Sequence, residues 1–291
     1  MKSMHNTSWA IGSRVLALIT GVWLSATPLV AQPPRRVART PKVETQVTPS
    51  ITAAAEDVSK VDPKHPLVPA IALAEESVAA LQTVKDYTCL FTKREALSQR
   101  FSAQTMQMKL RHTPFSVYMR FQGGTADGRE VLFVEGRNQN NLMVREANGP
   151  GALLGTIPLA INSPQVAAEN RHKITELGVE NLARKLVKQW QNEAQFAEVK
   201  VEQFQDARVE GIACEAVRVT HVQPRKQFRF HQTVLYVNKE TRIPVRVENY
   251  AWPRREGDKA PLIEEYTYVN LKPNVGLTDV DFDRRNKRYN F

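Results

Sequence analysis

The chain has 291 residues, 42% of them hydrophobic, and carries a formal net charge of +10 at pH 7. This length provides for one large domain or two small ones with a substantial core. Its six histidines are scattered without a metal-binding spacing, and neither a G-x-S-x-G elbow nor a phosphate-binding G-K-S/T loop is present. Composition and motifs therefore argue against a metal centre, a serine hydrolase and a phosphate-loop protein, and no cofactor is expected.

Residues 1–31 have the three parts of an export signal: a basic front with Lys2 and Arg14, an apolar run over residues 15–24, and a cleavage site predicted after Ala31. The apolar run is shorter than the ~20 residues that a membrane-spanning helix needs, so the mature chain is predicted to lack a transmembrane span. An uncleaved anchor is the alternative. Cleavage removes two basic residues and no acidic ones, which lowers the net charge from +10 to +8. We therefore expect an exported protein of the periplasm or cell envelope.

Residues 32–66 are rich in proline, threonine and alanine and show no apolar periodicity. This composition is typical of a flexible linker, and residues 67–291 are predicted to form the folded domain. The excess of basic residues favours an anionic envelope surface as a partner and not nucleic acid. A soluble basic surface with no specific partner is the alternative.

Residues 67–84 place apolar side chains at three- and four-residue spacing, which predicts a helix. Strands with period-two alternation are predicted next, at residues 87–95, 104–112, 115–121, 130–135 and 142–145. One face of the second and third strands carries six apolar side chains that are candidates for lining a ligand cavity: Met106, Met108, Leu110, Val117, Met119 and Phe121. Methionines make such a face adaptable to flexible hydrophobic ligands. Ordinary core packing is the alternative.

Ser163 and Pro164 predict the N-cap and first turn of a short helix, and a longer helix is predicted over residues 175–194. Further strands are predicted at residues 199–206, 212–222, 228–237, 243–250 and 262–271. The fold class is therefore α+β, with about nine to eleven strands in one antiparallel sheet. A sheet of this size curls, and helices on its concave side cover the apolar face.

The two cysteines, Cys89 and Cys214, each lie in a predicted strand. In an oxidising compartment an even pair favours a disulfide, which would close a loop of more than a hundred residues. Two isolated buried thiols are the alternative. A catalytic role for Cys89 is disfavoured against a structural one.

Three other charged features of the sequence are candidate sites. The pairs Arg94-Glu95 and Arg129-Glu130 near strand ends could bind a polar head group at a cavity mouth, although such residues are more often solvated. Alternating aspartates at 279, 281 and 283 resemble the start of a calcium loop, but Arg284 occupies the position that requires glycine. The basic tail over residues 284–291 is predicted to be solvated, and contact with an anionic membrane is the alternative.

The C-terminal strands resemble the periplasmic lipoprotein carriers of the LolA/LolB type and related anti-sigma-factor regulators that sense envelope lipids. The resembling segments are residues 235–237, 238–241, 243–247, 265–268 and 281–282. Residues 86–95, 111–118 and 128–131 are more similar to an exported bacterial family described only as a domain of unknown function. The resemblance covers residues 67–285 and implies an incomplete, strongly curved barrel with a helix-covered cavity for acyl chains. It transfers no functional residue.

The sequence therefore predicts an exported, non-enzymatic binding protein that accommodates a lipid, an acyl chain or a lipidated partner in a half-barrel cavity. An envelope protein-interaction or sensing module with a filled core is one alternative. A hydrolase is another, and it would need a convergent polar constellation that no motif indicates. Catalytic residues are accordingly not assigned.

Overall fold

Period-two alternation along the strands builds a single antiparallel sheet in the computed structural model, which describes residues 61–98, 101–196 and 198–291. The predicted signal segment and residues 32–60 of the predicted linker lie outside the described residues. The last residues of that linker contact the domain, because Val61 packs on its core and the His65 ring lies 3.2 Å from the carbonyl oxygen of Phe196.

Two meanders form the sheet. The first contains β1 (Asp86–Ala96), β2 (Phe101–Arg111), β3 (Ser116–Gln122), β4 (Glu130–Val134), β5 (Asn141–Arg145) and β6 (Thr156–Ala160). The second contains β7 (Val199–Val209), β8 (Ile212–His221), β9 (Gln232–Asn238), β10 (Pro244–Tyr250) and β11 (Leu262–Pro273). Antiparallel pairing of β1 with β11 joins them, so the strand order is β6-β5-β4-β3-β2-β1-β11-β10-β9-β8-β7. The sheet is open between β6 and β7, and the predicted α+β class with one large antiparallel sheet is confirmed.

Three α-helices lie on one side of this sheet: α1 (Val68–Leu81), α2 (Pro164–Glu169) and α3 (Val179–Glu193). The predicted cap of α2 is confirmed, since the Ser163 hydroxyl accepts a hydrogen bond from the Val166 amide. Helix α3 begins four residues later than predicted because Gly178 has a φ of 114°, a conformation that favours glycine. The Val179 amide at its start donates a hydrogen bond to the Tyr87 hydroxyl, 3.2 Å away.

The helices divide the concave side of the sheet into two regions. Over β8–β10, α1 and α3 form a continuous core that we call the packed half, containing Leu67, Ile71, Leu186, Trp190, Val217, Leu235 and Val247. Over β1–β6 we define the cavity half, where the start of α3 packs at one end around Tyr87 and Leu110. Helix α2 and residues 170–178 cover the remainder.

The outer face of β3–β5 is covered by the C-terminal tail, whose aromatic side chains are packed on the sheet while its basic side chains are solvated as predicted. Tyr289 stacks on Tyr118 with ring centroids 3.9 Å apart, and Phe282 is buried beside them. The aspartates that resembled a calcium loop form ion pairs instead: Asp281 with Lys109, Asp279 with Arg111 and Arg137, and Asp283 with Arg285. Aromatic packing and ion pairs together hold the tail on the sheet.

The two cysteines are unbonded, buried thiols, so the predicted disulfide is not present. Cys89 lies in the hydrophobic cluster beneath the helices, whereas Cys214 lies in a second cluster that includes Leu90. Successive residues of a strand point to opposite faces, so the two thiols are on opposite sides of the sheet. Burial raises the pKa of the Cys89 thiol, which disfavours the reactive thiolate.

Candidate functional site

The cavity half encloses an open space of about 1120 Å³ between the sheet and its helical cover. Strands β1–β6 supply most of its wall, while α2, residues 170–178 and one side of α3 supply the cover. The wall is predominantly apolar and includes Phe91, Met106, Met119, Phe121, Val131, Leu142, Val144, Leu159, Val166 and Leu182. Phe91 lies opposite Met106 on β2 and Tyr268 on β11, so the apolar surface crosses the junction of the two meanders.

The six apolar residues singled out in the sequence divide into two groups. Three of them line the cavity: Met106, Met119 and Phe121. The other three are buried in the surrounding cluster and are not part of the cavity wall: Met108, Leu110 and Val117. The side chain of Leu110 contacts Gly178 at the start of α3, which closes this end of the space.

Charged residues occupy the other end of the same strand face. Phe91, Lys93 and Glu95 point to one side of β1, and all three line the cavity. Glu95 accepts hydrogen bonds from the Tyr266 hydroxyl at 2.6 Å and from the Lys93 ammonium at 3.4 Å. Glu264 lies two residues before Tyr266 on β11 and is buried on the same face. A polar cluster therefore borders the apolar wall.

Glu264 is held as a carboxylate by three partners. It accepts hydrogen bonds from Arg171 Nε at 2.8 Å, from Asn249 Nδ2 at 2.9 Å and contacts His172 Nε2 at 3.1 Å. Burial raises the pKa of Glu264, but hydrogen bonding and charge from His172 and Arg171 outweigh it and lower the pKa to about 2. The cluster is thus an ion-paired network that fixes residues 171–172 against the sheet.

Lys93 is buried beneath α2 and is fully engaged. Its ammonium donates to the Glu169 carbonyl at 3.0 Å, to the Asn170 side chain and to Glu95. Burial lowers the pKa of Lys93, opposed by the charge of and hydrogen bond to Glu95. The ammonium therefore anchors the end of α2 to the strand.

The charged pairs noted in the sequence are split by the strand pleat. Glu95 and Arg129 line the cavity, and Arg129 forms ion pairs with Glu146 and Glu169. Arg94 pairs with Glu265 on the other face, and Glu130 binds the backbone and side-chain nitrogens of Asn290. Because alternate residues of a strand point to opposite faces, the sequence positions could have told which of these residues face the cavity. They could also have identified Lys93 and Glu264, which sequence reasoning missed.

The cavity-lining residues that are described include no serine, threonine or cysteine. Among residues 61–98, 101–196 and 198–291, no group of three or more His, Cys, Asp or Glu side chains is arranged to hold a metal ion. In the same described part of the chain, no helix is long and apolar enough to cross a membrane.

The family described as Protein of unknown function (DUF1571) matches residues 84–291. This confirms the predicted similarity to a family of unknown function. The comparison with curated proteins finds no match.

Among solved structures, the chain is similar to the lipoprotein LppX of Mycobacterium tuberculosis, with 12% sequence identity and a TM-score of 0.44. The match covers 74% of this chain and all of that chain. It is similar to the MucA/MucB complex of Pseudomonas aeruginosa at 14% identity, covering 74% of this chain and 60% of that chain with a TM-score of 0.39. It is also similar to a LolA superfamily protein from Nitrosomonas europaea, with 11% sequence identity and a TM-score of 0.30. That match covers 73% of this chain and 96% of that chain.

Proposed function

The chain belongs to the DUF1571 family, and we propose that it is an exported, non-enzymatic binding protein that holds a lipid, an acyl chain or a lipidated partner in the cavity. The observation that carries the proposal is the open space of about 1120 Å³ with an apolar wall on β1–β6. Sites for small molecules are typically concave, mostly apolar and about 300–1,000 Å³ in volume. The cavity is slightly larger than that range, which suits a long flexible ligand.

The energetics favour an apolar chain as the occupant. Each buried methylene contributes about 0.8 kcal/mol, so ten methylenes would contribute about 8 kcal/mol before the costs of association. Met106 and Met119 on the wall are unbranched side chains that adapt to ligands of different shape. Such a wall gives affinity without strict selection for one chain length.

A non-enzymatic role is supported by the engagement of the polar groups. The cavity lining lacks a hydroxyl or thiol nucleophile on serine, threonine or cysteine among the described residues. Glu95, Lys93 and Glu264 are each occupied by protein partners. The alternative of an interaction module with a filled core is disfavoured by the open cavity half.

We also propose that the chain consists of an export signal, a linker and one binding domain. Residues 1–31 would direct export and be removed, and residues 32–66 would link the domain to its surroundings. Residues 67–291 would form the binding domain. The periplasm or cell envelope is then where the ligand is met.

The proposal is tested by looking for bound lipid in the gently purified protein. Mass spectrometry of the native protein and of its organic extract should detect a co-purifying lipid, and a fluorescent fatty acid should bind the delipidated protein. Leu142→Trp fills the cavity and should weaken probe binding at least tenfold. Leu153→Trp makes the same change at a side chain that is 89% exposed and should leave binding unchanged.

Absence of lipid together with absence of probe binding would contradict the proposal. Equal probe binding by the Leu142→Trp and Leu153→Trp proteins would show that the probe binds elsewhere on the surface. Circular dichroism spectra matching the unmodified protein would establish that both variants are folded.

A second partner class, an anionic envelope surface, is supported by one exposed region. Leu153 and Leu154 are 89% and 70% exposed in the segment before β6. Arg145 connects this segment to the C-terminal tail, because it donates hydrogen bonds to the carbonyls of Ala152 and Asn290. Three exposed tail cations form no ion pair among the described residues: Arg284, Lys287 and Arg288. Apolar side chains beside cations suit peripheral binding to anionic lipid.

Cosedimentation with phosphatidylglycerol vesicles tests this contact, with phosphatidylcholine vesicles for comparison. Leu153→Ser combined with Leu154→Ser should reduce binding about a hundredfold, since two buried leucines at about 1.5 kcal/mol each contribute about 3 kcal/mol. Val280→Ser, at another exposed apolar position, is the matched control. Equal binding to both vesicle types would contradict an anionic surface as the partner.

A further inference from the structure

The acidic side chains that line the cavity all have a protein partner. Each of the six has a basic or histidine side chain within ion-pair distance: Glu95, Glu146, Glu169, Glu176, Glu193 and Glu264. Glu146 and Glu169 share Arg129, at 2.8 and 2.7 Å. Every carboxylate of the described lining is therefore engaged by the protein itself.

The basic side chains of the same lining are not all neutralised. Lys173, Lys188 and Arg229 line the cavity, and within the described ranges none of them forms an ion pair. All three are exposed, so they stand where the cavity meets solvent. Lys188 lies on α3, Lys173 on the segment before it and Arg229 before β9. The charged side chains of the described lining that have no ion-pair partner are therefore all cationic.

The buried ammonium of Lys93 is not available to bind a ligand head group inside the cavity. An ammonium has three donors, and those of Lys93 are directed to Glu95, the Glu169 carbonyl and Asn170. Displacing one of these would leave a buried polar group without its partner, which is unfavourable. A charged head group is therefore more stable at the mouth, where it keeps its contact with water.

We propose that the ligand of the cavity is an amphiphile with an anionic head group, bound with its chain against the apolar wall and its head beside Lys173, Lys188 and Arg229. This inference rests on the proposed function and adds the charge and the orientation of the ligand. The chain would supply the affinity, while the three cations would discriminate against positively charged amphiphiles of the same length.

The test measures binding of three dodecyl amphiphiles to the delipidated protein by titration calorimetry, at low ionic strength and below their micellar concentrations. Dodecanoate is the anion, dodecanoylglycerol the neutral compound and dodecyltrimethylammonium the cation. Dodecanoate should bind about tenfold more tightly than the cation, because exposed charge pairs each contribute a few tenths to one kcal/mol. Added salt should reduce this preference.

Charge reversal at the mouth provides the decisive variant. The triple change K173E/K188E/R229E should invert the order of the anion and the cation and leave the neutral compound unaffected, which also verifies that the protein is folded. K85E/R208E/K272E changes the net charge by the same amount at exposed positions outside the cavity lining. This control should keep the preference for dodecanoate.

The outcomes separate this inference from the proposed function. Equal binding of the anion and the cation, or an unchanged preference in K173E/K188E/R229E, would overturn the head-group assignment while leaving chain binding intact. Failure of all three compounds to bind the unmodified protein would overturn both. A further comparison of dodecanoate with dodecanoyl-lysophosphatidylglycerol distinguishes a free fatty acid from a phospholipid as the source, since the tighter ligand identifies it.

Discussion

The packed half and the cavity half are built on the same sheet by the same alternation of residues, yet only one of them is filled. Over β8–β10, α1 and α3 together supply large buried side chains such as Leu67, Leu186 and Trp190. Over β1–β6 the cover is α2, a helix of six residues, with an irregular segment behind it. The helical cover, and not the strand pattern, therefore determines which part of this sheet is left open.

The two halves also treat charge differently. The packed half holds one buried ionisable pair, Glu193 on α3 with His221 on β8, beside an apolar cluster in which Val217, Leu235 and Val247 face the helices. In the cavity half, Lys93 and Glu95 continue the strand face that Phe91 begins. Buried charges are tolerated only when paired, and the ion pairs here bind the irregular cover to the sheet. The polar cluster therefore compensates for the short helix.

The largest expected effect comes from one substitution made in each half. Leu235 is fully buried in the packed half, and Leu142 is 6% exposed on the cavity wall. Leu235→Ala should lower the free energy of unfolding by about 3–5 kcal/mol, because it creates a new void among close-packed side chains. Leu142→Ala enlarges an existing space and should cost about 1–2 kcal/mol less than that. Urea unfolding of the delipidated proteins measures both values.

Adding a ligand should also distinguish the Leu142→Ala and Leu235→Ala variants. A bound amphiphile stabilises the native state by an amount that rises with the logarithm of its affinity, so Leu142→Ala should change the stabilisation by ligand and Leu235→Ala should not. Equal losses of stability in the two variants without ligand would contradict the distinction between the halves.

A smaller effect is expected from the pH dependence of the polar cluster. The pKa of Glu264 is about 2, below its ordinary value of 4.5. A depressed carboxyl pKa stabilises the fold above the unfolded-state value, and that stability is lost as the pH falls from about 4.5 towards 2. The difference corresponds to about 3 kcal/mol. Glu264→Gln should remove this part of the acid dependence.

Unfolding free energies measured between pH 7 and pH 2 check the expectation. Glu240→Gln makes the same change at an exposed residue that forms no ion pair in the described structure, and it should retain the steep acid loss of the unmodified protein. If Glu264→Gln and Glu240→Gln have parallel profiles, the ion pairs of Glu264 do not hold the cover.

Local patterns in the sequence were sufficient for most of the fold. Period-two alternation identified the strands of both meanders, and Ser163 identified the start of α2 because its cap is a contact within four residues. Strand β6 was missed since Pro158 lies in its middle. Proline is tolerated there because β6 is an edge strand, and edge strands have one side free of pairing.

The site was less accessible from sequence because its contacts join distant segments. Glu264 meets His172 and Arg171 across more than ninety residues, and no local pattern specifies that pairing. Tyr289 appeared solvated among basic neighbours, although it stacks on Tyr118 in the folded chain. Strand parity predicts the face on which a side chain lies, but it does not predict what covers that face.

The smallest expected effect concerns the cysteines, which lie on opposite faces of the sheet and differ in their surroundings. Adding a reductant should leave the unfolding midpoint unchanged, because Cys89 and Cys214 are unbonded. A bridge closing so long a loop would contribute about 5 kcal/mol, and its reduction would lower the midpoint clearly. Thiol titration of the denatured, never-reduced protein should count two thiols, and a count of zero would mean that the two cysteines are linked by a disulfide.

The two cysteines should also differ in their effect on ligand binding. Cys89→Ala should alter the stabilisation by a bound amphiphile more than Cys214→Ala does, because only Cys89 belongs to the hydrophobic cluster of the cavity half.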